Sequence, residues 1–291
     1  MSGFGRHRKS VYRFRERLFQ SFMSVKSAAP PFTYASLSHT GRVRKGNEDA
    51  CAVSETDGAF IVCDGMGGAA AGEIASRLAV DTFLAHLTPP SLDSEKTPRR
   101  ATPDIRLDAA IHAANQAVYQ HSRKSPELRG MGTTLVALLL ELHESNRTPQ
   151  PPSLTLAHVG DSRCYLFRAG ALTLLTHDHS LVEEQVRAGQ ITAFEALHHP
   201  MRNIITRAIG SAPTVEPDIR HLDPQPGDLF LLASDGLTRE LSDVHLAAIL
   251  QRAHRNPDRT LDLNSLCRTL IDEANDAGGG DNVTVLLLQL P

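Results

Sequence analysis

The chain has 291 residues, of which 41% are hydrophobic and 22% charged, and its formal net charge is −3 at pH 7. Such a chain buries a large core, in the range of ordinary soluble enzymes. The charge excludes a global field for nucleic acid or an anionic membrane, and no apolar run is long enough to span a bilayer.

The first segment differs from the rest. "GRHRKSVYRFRERLFQSFM" is rich in Arg, has Glu16 as its one acid, and lacks the apolar stretch of a secretory signal. Residues 1–30 read as a basic, disordered extension, with Met23 as a candidate start. An organellar transit peptide and a basic arm for an acidic partner or a membrane are the alternatives. Residues 31–291 read as one domain.

Along that domain the apolar runs are short and strand-like. Strands are expected at 32–39, 50–55 and 59–64, then a helix over 72–87 on the spacing of Ile74, Leu78, Phe83, Leu84 and Leu87. A Pro- and Ser-rich loop (88–104) leads to a second helix, in which Leu107, Ile111, Ala114 and Val118 step by four, three and four. A strand at 133–142 and a loop at 143–153 precede strands at 153–160, 163–170 and 171–176. Ser180-x-x-Glu183 and Thr192-x-x-Glu195 are capping-box patterns that open short helices. A strand at 228–234, a helix through Leu263, Leu266, Leu270 and Ala274, and a strand at 282–290 complete the order. Several strands are apolar at successive positions, so both faces must be covered. The four cysteines, Cys51, Cys63, Cys164 and Cys267, form no Cys-x-x-Cys pair and read as reduced thiols of a cytoplasmic protein, not as a zinc site.

Carboxylates recur where these strands end. "FIVC" leads to Asp64-Gly65, "LFLLAS" to Asp235-Gly236 and "LTLAHV" to Gly160-Asp161, while Asp281 directly precedes the last strand. One such Asp caps a turn; four suggest convergence. Carboxylates gathered at a partly dry site repel one another unless cations join them. Oxygen donors without His or Cys favour Mg²⁺ or Mn²⁺. The glycine after Asp64 lets its backbone carbonyl approach as a further ligand. Upstream, "GRVRKGNEDA" sets Arg44 four residues before the acids Glu48 and Asp49, and a guanidinium fork suits a phosphate. Two divalent cations, three aspartates and Arg44 leave a positive balance matching a phosphate dianion.

These segments, with "GMGTTLVALLL", "LTHDHSLVEEQVRAGQIT", "RNIITRAIG" and "GGGDNVTVLLL", run in order from about 35 to 290. Together they make the chain resemble the metal-dependent protein phosphatases of the protein phosphatase 2C type, and "DGMGG" resembles the bacterial branch. The resemblance implies an α+β fold, a four-layer α-β-β-α sandwich of two stacked antiparallel sheets flanked by helices. It implies two Mn²⁺ or Mg²⁺ ions, with Asp64 bridging both, the Gly65 carbonyl on one, and Asp235 and Asp281 completing the other. Glu48 and Asp49 match acids that hold metal-bound water, and Arg44 the phosphate-binding arginine. Asp161 matches a ligand, with Asp235, of a third, weaker ion. Residues 177–200 fall where the family has its mobile flap. The implied reaction is hydrolysis of phosphoserine or phosphothreonine on proteins by a metal-bridging hydroxide, without a phosphoenzyme. Phosphoprotein substrates, a cognate serine/threonine kinase and a monomer are the implied partners and state.

Three further expectations follow. Met66 stands where eukaryotic relatives have a histidine, and a thioether donates no proton; water on the third ion, placed by Asp161, is expected to protonate the leaving oxygen. His158 is expected to be a satisfied core residue and His179 to orient a loop, the alternating His177 and His179 being a weak zinc pattern. The competing functions are a pseudophosphatase that binds phosphoproteins without turnover, a two-metal nuclease, which the acidic balance disfavours, and structural Ca²⁺ binding, for which no EF-hand loop is present.

Overall fold

The computed structural model describes residues 32–87, 102–141, 152–254 and 261–291. The basic segment 1–30 lies outside these residues, as does most of the two loops expected at 88–104 and 143–153. The strands are β1 (Thr33–His39), β2 (Asp49–Ser54), β3 (Ala59–Met66), β4 (Gly132–Thr133), β5 (Leu135–Glu141), β6 (Ser153–Val159), β7 (Arg163–Arg168), β8 (Ala171–Leu174), β9 (Asp218–Leu222), β10 (Leu229–Ala233) and β11 (Val283–Gln289). The helices are α1 (Ala69–Leu87), α2 (Pro103–Ser122), α3 (Leu181–Arg187), α4 (Ala193–Leu197), α5 (Asp235–Thr238), α6 (Asp243–Ala253) and α7 (Leu263–Ala277).

Two antiparallel sheets result. One has the order β1-β11-β10-β7-β8; the other has the order β2-β3-β5-β6-β9, with β4 paired to β3. The continuous apolar strands are explained by the side-chain period of two. In β10, Leu229, Leu231 and Ala233 enter a core shared with α6 and α7, while Phe230 and Leu232 enter a core between the sheets. In β3, Phe60 and Val62 meet that same central core, and Ala59, Ile61 and Cys63 pack with α1 and α2. Three cores thus separate four layers in the order α-β-β-α. Ala71, Ala75 and Ala79 repeat every fourth residue along α1 and let it lie close on its sheet. Among the described residues no helix is long and apolar enough to cross a membrane.

Several elements depart from the sequence reading. β9 was not expected, because "DIRHL" is a half-exposed edge strand with charged positions. α5 and α6 were also missed. The strand expected at 133–142 is broken at Thr134, whose N–H donates to the Asp64 carbonyl (2.9 Å) and whose Oγ1 accepts from the Asp64 N–H (2.9 Å). Thr192 and Glu195 make the full reciprocal capping box, whereas at Ser180 the structure shows the hydroxyl accepting from the Glu183 N–H.

Candidate active site

The β2–β3 register sets Asp49 directly opposite Asp64. The chain then tightens around them. The Gly65 N–H donates to the Glu48 carbonyl (3.1 Å). A Cβ on Gly65 would fall 2.1 Å from the Gly72 carbonyl, so only glycine lets β3 run this close to the start of α1. The opposite sheet supplies Asp235, the first residue of α5 after β10, and Asp281, in the loop before β11. Asp161 follows β6. The site therefore lies at one edge of the sandwich, between strand ends of both sheets.

The electrostatics follow from this crowding. Burial, and then the charges of Asp235, Asp49, Asp161 and Asp281, push the Asp64 carboxyl well above the ordinary carboxylate range. Burial raises Asp49 to about 6, against hydrogen bonds that lower it: Thr284 Oγ1 (2.6 Å) and Ser234 Oγ (2.8 Å) both donate to its Oδ2. Asp235 is raised by burial to about 6 although Arg239 pulls it down. Asp161 is raised to about 7 by burial and then by Asp235. Glu48 is raised by burial, with Arg44 opposing. The Oδ1 atoms of Asp49, Asp161 and Asp235 are buried without a hydrogen-bond partner. Orphaned, mutually repelling carboxylate oxygens are the donor set of hard divalent cations, so the residues present fit Mn²⁺ or Mg²⁺.

Arg44 lies at the rim. Its Nη2 donates to Asp281 Oδ2 (2.8 Å), and its Nη1 is 3.9 Å from Glu48 Oε1. Arg44, Glu48, Asp49, Asp64, Gly65, Asp161, Asp235 and Asp281 thus come from separate parts of the chain to one place. Four contributors escaped the sequence reading. Asn282 accepts from the Glu48 N–H (2.8 Å) and donates to the carbonyls of Thr40 and Gly46 (both 2.9 Å), pinning the loop that carries Arg44. Ser234 and Thr284 aim Asp49. Arg239 stands among Asp161, Asp235 and Asp281; its one available signal was its position four residues after Asp235.

Met66 ends β3 half-buried, opposite Gly132. Beside the site, His179 is buried, accepts at Nδ1 from the Gly160 N–H (3.2 Å) and stacks on His158 with centroids 4.7 Å apart. His158 Nε2 donates to the His177 carbonyl (2.8 Å). Burial lowers both imidazoles, His179 to about 4, so both are neutral at physiological pH. Ligand atoms of His158, His179 and Asp218 lie within 4.8 Å of one another. The zinc-like pairing of His177 with His179 is not what the fold forms, since His177 enters through its carbonyl. The segment expected as a flap carries α3 and α4 and exposes Phe194 and Leu197.

A sequence profile of the Protein phosphatase 2C family matches residues 39–267. The chain is 38% identical over 260 residues to the serine/threonine protein phosphatase PstP of Mycobacterium tuberculosis, covering 87% of this chain but 44% of that protein, so it spans less than half of that relative. It is 37% identical over 254 residues to the serine/threonine phosphatase stp of Listeria monocytogenes, covering 86% of this chain and 92% of that one. Among solved structures, the catalytic domain of PstP in complex with two manganese ions aligns with a TM-score of 0.70 and 36% identity, over 89% of this chain and 97% of the other. The serine/threonine phosphatase of S. agalactiae aligns with a TM-score of 0.73 and 35% identity, over 89% of this chain and all of the other. With a family profile matched over most of its length, and relatives of like fold at this identity, the chain belongs to the protein phosphatase 2C family.

Proposed function

We propose that this chain is a metal-dependent protein serine/threonine phosphatase that hydrolyses phosphoserine and phosphothreonine without a phosphoenzyme. The observation that carries the reading is the convergence of buried, orphaned carboxylates from both sheets beneath a half-exposed arginine. Two divalent cations, Mn²⁺ or Mg²⁺, supply Lewis acidity and an activated water when bound. Asp64, Asp235 and Asp281, with the Gly65 carbonyl, are the residues that would hold them. Glu48 and Asp49 orient water from the protein side, Asp49 being aimed by Ser234 and Thr284. Arg44 binds the phosphoryl oxygens, and Asp281 accepts a hydrogen bond from it at the rim of the site. Orienting substrate phosphate against fixed charges is the chain's own share of catalysis. A covalent route through sulfur is disfavoured, since burial pushes the Cys63 and Cys164 thiols far up.

Phosphoproteins, including those of a partner kinase, are the proposed substrates, and the cytoplasm the proposed compartment. Hydrolysis of a phosphothreonine peptide with Mn²⁺, with Mg²⁺ and with EDTA tests the reading, on wild type and on Asp64→Asn. Turnover is expected only with metal, and a loss of at least about 100-fold with the variant. Activity that survives EDTA or the substitution would overturn it. Metal-loaded protein that binds phosphopeptide with no turnover would favour a pseudophosphatase.

A further inference from the structure

A third cation, expected between Asp161 and Asp235, would have to share that place with a side chain. Arg239 lies one helical turn after Asp235 and turns back onto it. Its Nη2 pairs closely with Asp235 Oδ2 and lies 3.7 Å from Asp161 Oδ2, and its Nη1 is 3.7 Å from Asp281 Oδ2. One guanidinium therefore faces three carboxylates, and its side chain is 37% exposed, so its charge is only partly screened. The Oδ1 atoms of Asp235 and Asp161 are buried and have no hydrogen-bond partner. The two oxygens of Asp235 are thus divided: Oδ2 serves the guanidinium and Oδ1 is free to serve an ion.

We propose that Arg239 is the resident third cation of this site, so that the protein binds two divalent ions tightly and excludes a third from the Asp161–Asp235 position. The inference rests on the two-metal phosphatase reading and changes its ion count and its leaving-group chemistry. A divalent ion entering between Asp161 and Asp235 must displace a guanidinium from Asp235 and then meet its charge at close range. The guanidinium is permanently charged and geometrically suited to carboxylates, so it needs no free metal in solution. The expected use of Asp161 as a holder of metal-bound water for the leaving oxygen is then not available in this chain. Asp161 instead faces the guanidinium of Arg239 at 3.7 Å, as one of the three carboxylates around it.

Counting bound ions tests this directly. Mn²⁺ is titrated into metal-free wild type, Arg239→Ala and Arg239→Lys, with stoichiometry read from calorimetry and from the electron paramagnetic resonance signal of free Mn²⁺. Two tight sites are expected in wild type and in Arg239→Lys, whose ammonium keeps the charge. Arg239→Ala is expected to gain a third site, at least about 10-fold tighter than any residual third binding in wild type. Three comparable sites in wild type, or only two in Arg239→Ala, would overturn the proposal. A third site that Asp161→Asn removes from the Arg239→Ala background would assign it to this position; one that persists there would overturn the assignment. Fewer than two tight sites in wild type would overturn the two-metal reading itself, and this inference with it.

Discussion

Replacing Asp161 by Asn should stabilise the metal-free protein, and the gain should depend on pH. Asp161 is 7% exposed, its Oδ1 lacks a hydrogen-bond partner, and its nearest cation is 3.7 Å away. Its carboxyl is raised from 3.8 to about 7 by burial and by the charges of Asp235 and Asp178. Between those two values the folded protein keeps a proton that the unfolded chain has released, so metal-free stability falls as pH rises through the window and levels off above it. At 1.36 kcal/mol per pH unit, the ionised group costs the fold at most about 4 kcal/mol at pH 8 and about 2 kcal/mol at pH 5. Asn removes the charge at equal volume but keeps an amide that is imperfectly hydrogen-bonded, at about 1–3 kcal/mol. The net gain at pH 8 is then about 2 kcal/mol, or a rise in Tm of roughly 4–8 °C, shrinking to about zero at pH 5. Thermal unfolding of both proteins in EDTA at the two pH values measures it. A gain of equal size at both, or a loss at pH 8, would refute the claim that this carboxylate is held against its own charge.

Two other substitutions probe the support of the site. A Cβ on Gly72 would fall 1.9 Å from Glu48 Oε2 and 3.0 Å from the Gly65 backbone carbon, so Gly72→Ala should swing that carboxylate away while its helix persists; phosphopeptide kcat should drop about 10- to 100-fold with a small fall in Tm, and an unaltered kcat would contradict a role for Glu48. Thr284→Val removes the 2.6 Å bond to Asp49 at constant shape; calorimetry should show Mn²⁺ binding weakened about 10-fold and denaturant unfolding a loss of about 1–2 kcal/mol, and normal affinity would show that Asp49 needs no aiming.

The central strands were legible because burial on both faces forces apolar residues at successive positions, as in β10 and β11. β9 was not, since Asp218, Arg220 and His221 mark a strand that the sheet covers on one edge only. α6 carries a local signal of its own: Ser242 caps it, Asp243 lies in its first turn, and Leu246, Ile249 and Leu250 share its buried face. The acids were legible through repetition at strand ends, where a functional group meets the mouth of a core. Arg239 was not, because α5 is a single turn whose pattern is too short to recognise. The His158–His179 stack and the Asn282 clasp join segments distant in sequence, and no local spacing announces such pairs.

β11 has one further consequence. Among the described residues it comes after every other strand in sequence, yet it lies inside its sheet, between β1 and β10, with Thr33 opposite Gln289. Asp281 and Asn282 sit at its entrance, and Asn282 clasps the loop that carries Arg44. A growing chain therefore displays Asp64 and Asp235 long before they have their companions. The first sheet stays split, with β1 apart from β10, until β11 inserts between them. Contacts of such sequence separation form late and slowly. A chain that has not yet seated β11 thus has neither a closed sheet nor the full set of carboxylates proposed to hold the ions.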